Sequence, residues 1–330
     1  MMKSPIVQTH PSAAVPDIPW PENLPAIAAI CGETEAPDAR VTVIGAGGAA
    51  AHAALWWKQT PEFDGQRVGA IGGFVATDEA TTKVLLENAV EKLRGEGCTR
   101  IVGPMNGNTW RYYRFVIESS GKGPFLLEPR NPAEYPAWWK VAGFSEFSRY
   151  SSSAIVLDGA PTVLPALKQR LLRSGVTIRP LDPARYDEEL SAIHDVCLRS
   201  FSSNFLYTPL EKEPFIDAYR RVKERVDPDF VRVAERNGVV CGFVFAIADF
   251  EAAARGEKPA LIIKTLAVDP ESRCAGLGSL LVDEVQMAGY AKGFDTAIHA
   301  LQYDGNTVLR ITARHHGEVI RRYALFTCDP

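Results

Sequence analysis

The apolar and polar positions of the chain follow the same order twice. An apolar run, an aspartate, a segment with apolar residues at helical spacing and a second apolar run occur between residues 75 and 101, and again between residues 266 and 298. Short apolar runs predict strands, and a spacing of three or four residues predicts an amphipathic helix. We interpret the repeated strand–aspartate–helix–strand unit as internal duplication in an α/β protein with a mixed sheet.

The first half of the chain alternates predicted strands with two helices. Thr77 or Asp78 can cap a helix whose apolar stripe runs from Val84 to Leu93, before two glycines end it. Strands are predicted at residues 40–45, 51–57, 67–76, 100–103 and 153–157, and a short second helix at residues 136–142.

The second half shows a more regular pattern. Asn237-Gly238 lies between two apolar runs and predicts a β-hairpin, because this dipeptide accepts the positive φ angles of a tight turn. The near-continuous apolar run at residues 261–268 is typical of a strand buried on both faces. Further strands are predicted at residues 176–181, 231–234, 239–248, 297–301 and 320–327, and helices at residues 186–201, 211–226, 276–291 and 307–314. The last of these strands is expected to close the sheet of this half.

A length of 330 residues suits two domains. Six prolines among the first 25 residues interrupt any apolar segment, so we predict no signal peptide and an extended or disordered arm at residues 1–24. A first domain is predicted at residues 25–157, a linker with a short helix at residues 158–175, and a second domain at residues 176–330.

Composition narrows the classes of function. Hydrophobic residues make up 46% of the chain and charged residues 23%, as in ordinary globular proteins. The net charge is −4 and the sequence has no block of basic residues, which argues against nucleic-acid binding. No apolar run reaches the roughly 18 residues of a membrane span. The six cysteines lie far apart, and adjacent His315 and His316 are poorly placed to hold one metal ion. We therefore predict a cytoplasmic protein that acts on a small molecule, without a metal or a membrane partner.

The most informative segment extends from residue 266 to residue 281. A buried strand ends at Asp269-Pro270, and Arg273-x-x-Gly276-x-Gly278 then opens a periodic helix. Backbone N–H groups at a helix N-terminus lack internal partners and carry the positive end of the helix dipole. Glycines let a phosphate approach these groups closely, and Arg273 adds a charged hydrogen bond. The segment therefore predicts a site for a phosphate or pyrophosphate group.

This segment resembles motif A of the GCN5-related N-acetyltransferases (GNAT), in which Q/R-x-x-G-x-G/A follows the fourth strand. The resemblance covers about residues 176–330 and implies the acyl-CoA N-acyltransferase fold, with acetyl-CoA as co-substrate. It implies that the main chain of Leu266 and Val268 pairs with the pantetheine arm and that Asn306 lies near it. It also implies that Arg273 and one run of backbone amides hold the pyrophosphate. These amides belong to Cys274, Ala275, Gly276, Leu277, Gly278 and Ser279.

One position departs from the family pattern. Members often carry a tyrosine seven residues after the asparagine, and this tyrosine protonates the departing thiolate. Ala313 occupies that position here. Candidates for the missing general acid are Tyr303, His315, His316 and Tyr323, and the alternative for each is a surface or packing role. Asp249 and Glu251 are candidates for holding the amine, with a solvated strand end as the alternative.

The first half resembles a second, degenerate copy of the same fold. Asp78 is followed by Glu79 to Lys83 without a glycine, so the phosphate site is missing. The segment Val43-Ile-Gly-Ala-Gly-Gly-Ala-Ala also matches the GxGxxA form of the dinucleotide-binding fingerprint. Trp56-Trp57 and the proline at position 61 leave room for only a short helix after it, so two strands joined by a glycine turn fit better.

A polar, glycine-bearing segment at residues 103–111 can line a substrate pocket or join the two domains. Candidates for orienting the acceptor are Asn106, Asn108, Arg111, Arg114 and Glu128. The resemblance to the GNAT family implies an N-acetyltransferase that moves an acetyl group from acetyl-CoA to the amine of a small molecule. The alternative is a non-catalytic acyl-CoA-binding sensor or scaffold, which the alanine at position 313 permits.

Overall fold

The computed structural model describes residues 6–11, 36–45, 48–306 and 308–329. The strands are β1 (Ile6–Pro11), β2 (Ala39–Gly45), β3 (Gly48–Trp56), β4 (Glu62–Phe63), β5 (Gln66–Ala76), β6 (Arg100–Gly103), β7 (Phe115–Ser119), β8 (Ser145–Val156), β9 (Val176–Pro180), β10 (Val231–Arg236), β11 (Val239–Ala248), β12 (Leu261–Val268), β13 (Thr296–Tyr303) and β14 (Glu318–Cys328). The helices are α1 (Glu79–Gly95), α2 (Tyr135–Val141), α3 (Pro165–Arg173), α4 (Tyr186–Phe201), α5 (Lys212–Arg220), α6 (Phe250–Ala254), α7 (Leu277–Ala291) and α8 (Leu309–Arg314).

The predicted N-terminal arm contributes a strand where it is described. Strand β1 pairs antiparallel with β2 at the edge of the sheet. The rest of residues 1–24 lies outside the described part of the chain.

A single sheet runs through both halves of the chain. Its order is β1-β2-β3-β5-β6-β14-β8-β13-β12-β11-β10-β9, with β4 paired to β5 and β7 paired to β14. The order is symmetric about the central β14–β8 pair, because β6 and β5 follow on one side and β13 and β12 on the other. Each half therefore contributes its last long strand to the sheet of the other half.

This exchange corrects the expected position of the C-terminal strand. The prediction that the strand at residues 320–327 closes the sheet of the second half is wrong. Strand β8 occupies the free edge of β13, so β14 pairs with β8 on one side and with β6 and β7 of the first half on the other.

Two parallel strand pairs confirm the internal duplication. Helix α1 connects β5 to the parallel β6, and helix α7 connects β12 to the parallel β13. In the first pair only residues 68–70 and 100–102 are in register, and in the second only residues 261–263 and 297–299. Beyond these residues the strands of each pair separate, which leaves one opening in each half of the sheet.

The capping and packing of the two crossover helices follow the predicted pattern. Asp78 caps α1 by accepting a hydrogen bond from the N–H of Thr81 at 2.8 Å. Leu85 and Leu93 of α1 lie in one apolar core, and Leu281 of α7 lies in another.

The opening in the first half is filled by the chain itself. The N–H of Met105 donates to the carbonyl of Ile71 at 2.8 Å, and the N–H of Gly73 donates to Asn106 Oδ1 at 2.9 Å. A Cβ at Gly72 would overlap Met105 and Asn106. This glycine is therefore needed for close approach, and the segment occupies the space where β5 and β6 are no longer paired.

The dinucleotide-binding alternative is excluded by the strands around the glycine segment. Strands β2 and β3 are antiparallel neighbours, paired from Ala39 with Leu55 to Gly45 with Gly48. A dinucleotide fingerprint needs a helix after its glycines, whereas the residues from 48 to 56 form a strand.

Candidate functional site

The loop between β12 and α7 has a left-handed backbone at two positions. Asp269 accepts the N–H of Glu271 at 2.9 Å with one carboxylate oxygen and Arg199 Nε at 2.7 Å with the other. Arg273 (φ 52°) and Gly276 (φ 88°) then turn the chain into α7. Because Asp269 is buried and bonded both within the loop and to Arg199 of α4, it fixes the loop from inside.

The N-terminus of α7 is surrounded by guanidinium groups. Among the described residues no side chain caps this helix, so amides of its first turn remain available to an anion. Arg170 donates to the carbonyl of Ala275 at 2.7 Å, and Arg314 donates to Ser279 Oγ at 3.1 Å. Arg273 is exposed at the same loop. Free amides together with three cations favour a bound pyrophosphate.

The two glycines of the motif differ in what they contribute. At Gly276 the backbone is left-handed, and a Cβ would lie 2.8 Å from Leu167 of α3, so the fold itself requires glycine. At Gly278 a Cβ would make ordinary contacts of 3.5 Å with Leu266 and 3.7 Å with Val268. The fold therefore does not require glycine at position 278, and close approach of a ligand is the reason that a glycine would be needed there.

The opening between β12 and β13 begins at a register shift. Phe245 of β11 pairs with Thr265, but the next residue of β11 pairs with Ile263, so Lys264 is an extra residue in β12. From this point the edge of β12 that faces β13 has no strand partner, and Leu266 and Val268 lie along it. Backbone groups on such an edge can pair with an extended ligand.

A buried polar cluster lies where β14 and β8 meet. Glu128 Oε1 accepts the hydroxyl of Tyr323 at 2.5 Å and lies 3.2 Å from Arg321 Nε. Glu128 Oε2 accepts the N–H of Phe125 at 3.1 Å. Tyr323 also bonds Ser152 Oγ at 3.0 Å. Burial raises the pKa of Glu128, although its hydrogen bond to Tyr323 and the charge of Arg321 act against this.

Two further cations lie beside this cluster. The guanidinium carbon of Arg114 is 3.8 Å from the ring centroid of Tyr113 and 4.2 Å from that of Tyr150, and Nη1 donates to the carbonyl of Leu301 at 3.2 Å. Leu301 belongs to β13 beyond its last pairing with β12, so this contact places Arg114 at the opening. Burial and, second, the charge of Arg114 lower the pKa of Lys264 to about 7.

Of the predicted acceptor-orienting residues, the structure brings Arg114 and Glu128 to this opening. Asn106 lies in the segment that fills the opening of the first half. Asn108 Oδ1 accepts the N–H of Trp110 at 3.0 Å, and Arg111 reaches back toward the carbonyl of Asn106 at 3.5 Å. These three residues therefore shape the loop that follows the filled opening.

The four candidates for a general acid lie in two places. Tyr323 and Tyr303 are on strands next to the opening, where Tyr303 stacks on Phe205 with ring centroids 5.4 Å apart. His315 and His316 are at the C-terminal end of α8. His315 is buried against Thr162 at 3.2 Å and burial lowers its pKa, whereas His316 is exposed.

The remaining predicted site residues have contacts with protein groups, some of them distant in the chain. Asn306 Oδ1 accepts the N–H of Val308 at 3.1 Å, and Ala313 is exposed on α8. Asp249 accepts the N–H of Leu126 at 3.0 Å, and Glu251 forms an ion pair with an arginine of the same first-half segment. These two carboxylates bind the first half of the chain, so neither is a solvated strand end.

Sequence analysis missed Lys264 and Arg321. The near-continuous apolar run at residues 261–268 predicts a buried strand, and Lys264 is the single charged residue in it. A lysine inside an otherwise apolar strand is the signal that could have found it, since lysines are mostly exposed in folded proteins.

An apolar cavity lies beneath α4 and α5, away from the loop at residues 269–276. It is lined by Leu181, Tyr186, Leu190, Ile193, Phe215, Tyr219, Val226, Val231, Phe243 and Phe245. In the described part of the chain no helix has the length and apolar character that a membrane crossing requires.

Comparison with known proteins identifies one family and several relatives. The model of the acetyltransferase (GNAT) family matches residues 190–316. A bacterial ceramide synthase of Caulobacter vibrioides is 25% identical over 183 residues, which cover 55% of this chain and 48% of that protein. The chain spans about half the length of the curated relatives it matches.

Two solved structures are similar in fold. A GCN5-related N-acetyltransferase from Sphaerobacter thermophilus aligns with a TM-score of 0.53 and 16% identity, over 88% of this chain and 80% of that one. A tandem GNAT protein from the clavulanic acid biosynthesis pathway aligns with a TM-score of 0.51 and 15% identity, over 88% and 82%. The second likeness agrees with the duplicated, continuous sheet described above.

Proposed function

The chain belongs through residues 190–316 to the acetyltransferase (GNAT) family, and on that premise we propose that it transfers an acyl group from acyl-CoA to the amine of a small molecule. The observation that carries the proposal is the loop of Arg273 and Gly276, which presents uncapped amides of α7 next to the open edge of β12. The matching region of the first half has no glycine loop and a filled opening.

The proposed roles follow from this geometry. Amides between residues 274 and 279, with Arg273, bind the pyrophosphate of CoA. The free edge of β12 at Leu266 and Val268 pairs with the pantetheine arm, and this directs the thioester into the opening. The acceptor nitrogen then attacks the thioester carbonyl, so that a C–N bond forms, the C–S bond breaks, CoA leaves as the thiolate, and the amine loses a proton.

The proton carriers remain candidates. Tyr303 and Tyr323 are supported by their location at the opening, while His315 and His316 directly follow the C-terminal end of α8. Burial raises the pKa of Tyr323, with the nearby Glu128 as the next cause, so its hydroxyl stays protonated at neutral pH. That state is the one a general acid needs.

We propose acetyl as the transferred group, and a longer acyl chain as the second candidate. The similarity to a protein named a ceramide synthase favours the second candidate. Release of free CoA should be measured with acetyl-, butyryl- and palmitoyl-CoA at equal concentration. The highest kcat/KM with acetyl-CoA supports the first candidate, and the highest with palmitoyl-CoA supports the second.

The same assay tests the proposed reaction against the sensor alternative. We expect at least one amine in a panel of amino acids, polyamines and amino sugars to accelerate CoA release above the rate of hydrolysis, with the N-acyl product visible by mass spectrometry. Tight acyl-CoA binding by calorimetry, without amine-dependent release for any member of the panel, would instead favour a non-catalytic sensor.

A further inference from the structure

Arg114 is a buried cation without a carboxylate partner in the described chain. Its side chain is 4% exposed, and Nε has no hydrogen-bond partner. The tyrosine rings on either side and the carbonyl of Leu301 stabilise the guanidinium partly. Neither the rings nor the carbonyl carries a negative charge, so the buried positive charge is left uncompensated.

Lys264 is a second cation at the same opening. It is half-buried as the extra residue of β12, and its ammonium forms no ion pair or hydrogen bond with the described part of the chain. The charge of Arg114 acts on it and favours loss of its proton. The Lys264 residue is partly exposed and lies on the part of β12 that has no pairing with β13.

Glu128, whose charge also acts on Lys264, already has hydrogen-bond and ion-pair partners. Both oxygens of Glu128 accept hydrogen bonds, and Arg321 lies 3.2 Å away as its ion-pair partner. Three cations (Arg114, Lys264 and Arg321) therefore face one carboxylate, and the cluster carries a net charge of +2 when Lys264 is protonated. An anion that enters the opening would reduce this excess.

Building on the acyltransferase function proposed above, we propose that the acceptor carries a carboxylate next to its amine, and that Arg114 and Lys264 bind this carboxylate. Lys264 precedes Leu266 by two residues, which corresponds to about 7 Å along an extended strand. A carboxylate at Lys264 would therefore hold an adjacent amine close to the part of β12 that is proposed to bind the pantetheine arm. The acceptor class is that of amino acids.

Matched acceptors test this proposal. CoA release from acetyl-CoA should be compared for α-amino acids, their carboxamides and the corresponding decarboxylated amines. A charged hydrogen bond is worth about 1.5–3 kcal/mol, so the amino acids should exceed their carboxamides about tenfold or more in kcat/KM. Lys264→Met and Arg114→Gln should reduce that ratio to about twofold or less. Lys258→Met changes an exposed lysine that pairs with Asp295 and should leave the ratio as it is.

Calorimetry of the same acceptors with the CoA-bound protein separates the two proposals. Transfer to amines with no preference for the acid overturns the carboxylate site but leaves the acyltransferase function standing. Binding of the acid and not of its amide, without transfer, supports the carboxylate site and overturns the acyltransferase function. If Arg114→Gln fails to fold, Lys264→Met alone decides, and an unchanged ratio in that variant overturns the site. If no acceptor of the panel either reacts or binds, both proposals are wrong.

Discussion

The position of Lys264 in β12 determines the pKa of its ammonium group. Burial first and Arg114 second lower the pKa of its ammonium from the usual 10.5 to about 7, while the charge of Glu128 acts in the opposite direction. In the unfolded chain the pKa returns to its usual value, so between pH 7 and pH 10.5 the unfolded state holds more protons than the folded state. The free energy of unfolding therefore rises with pH across this interval.

Replacing Lys264 by methionine should remove this dependence. We expect Lys264→Met to be more stable than the natural protein below pH 7, where a half-buried ammonium must stay charged, and the difference to shrink toward pH 10. Urea unfolding at pH 6, 7.5 and 9 measures it, with Lys258→Met as the control for loss of a lysine. An equal slope of stability against pH in the natural protein and in Lys264→Met would contradict the prediction.

Gly278 is the residue that tests acyl-CoA binding most cleanly. Its φ angle is not left-handed and its surroundings admit a side chain, so Gly278→Val should keep the thermal midpoint within about 2 °C, which corresponds to about 1 kcal/mol for a chain of this length. The added methyl groups would narrow the approach to the amides of α7, and acetyl-CoA affinity should fall about tenfold or more by calorimetry.

Of two other glycine positions that can be compared with Gly278→Val, one serves as a control and one is unsuitable. Gly95→Val places the same side chain at the end of α1, where nothing lies within 4 Å, and should leave affinity unchanged. Gly276→Val is unsuitable as a probe, because its left-handed backbone and the contact with Leu167 make loss of stability the expected result. Undiminished affinity in Gly278→Val would show that the loop does not hold the pyrophosphate.

At the scale of elements, the same strand pair separates in both halves, and in the first half the segment of Met105 and Asn106 fills the space. The side chain of Asn106 completes the segment that fills the first opening, so Asn106→Ala should leave the N–H of Gly73 without a partner and lower stability by about 1–3 kcal/mol. Arg114 lies at the second opening, so Arg114→Gln should raise the KM of the acceptor and leave acyl-CoA affinity as it was.

Thermal unfolding together with steady-state kinetics on both variants checks this contrast. A raised acceptor KM in Asn106→Ala at unchanged stability would return Asn106 to the acceptor site. Loss of acyl-CoA binding in Arg114→Gln would mean that the arginine only braces β13 through Leu301.

At the scale of the whole molecule, exchange of β8 and β14 joins the two halves. An isolated first half would lack the strand that pairs with β6 and β7, and an isolated second half would lack the strand that pairs with β13. Buried strand edges without partners are costly. We therefore expect the halves to fold as one unit and not as two independent domains.

Cutting the linker tests this expectation. A protease recognition sequence inserted at Ala160, which is exposed, allows the chain to be cleaved after folding. The cleaved protein should elute from size exclusion as one particle that contains both fragments, and should unfold in one transition. Elution as two separate folded monomers would contradict the prediction, and the natural protein treated with the same protease is the control.

The local elements of this fold are determined by the sequence, because their signals lie within a few residues of one another. The Asp78 cap predicts α1, Asn237-Gly238 predicts the hairpin of β10 and β11, and Arg273 with its two glycines predicts the loop into α7. The tandem fold class follows as well, since each half repeats one strand–helix–strand pattern. The GNAT motif occurs in only one half, and this predicts which half holds the phosphate site.

The tertiary structure alone decides which strands become neighbours and which charges are left without partners. The pattern of β14 is the same whether it closes its own sheet or joins the other half, since an edge strand pairs by backbone groups that every sequence shares. Lys264 and Arg114 are 150 residues apart in the chain, and their common opening depends on the path of both halves. The pKa of a lysine depends on burial and neighbouring charge, so only the folded chain makes Lys264 a candidate for binding an acceptor.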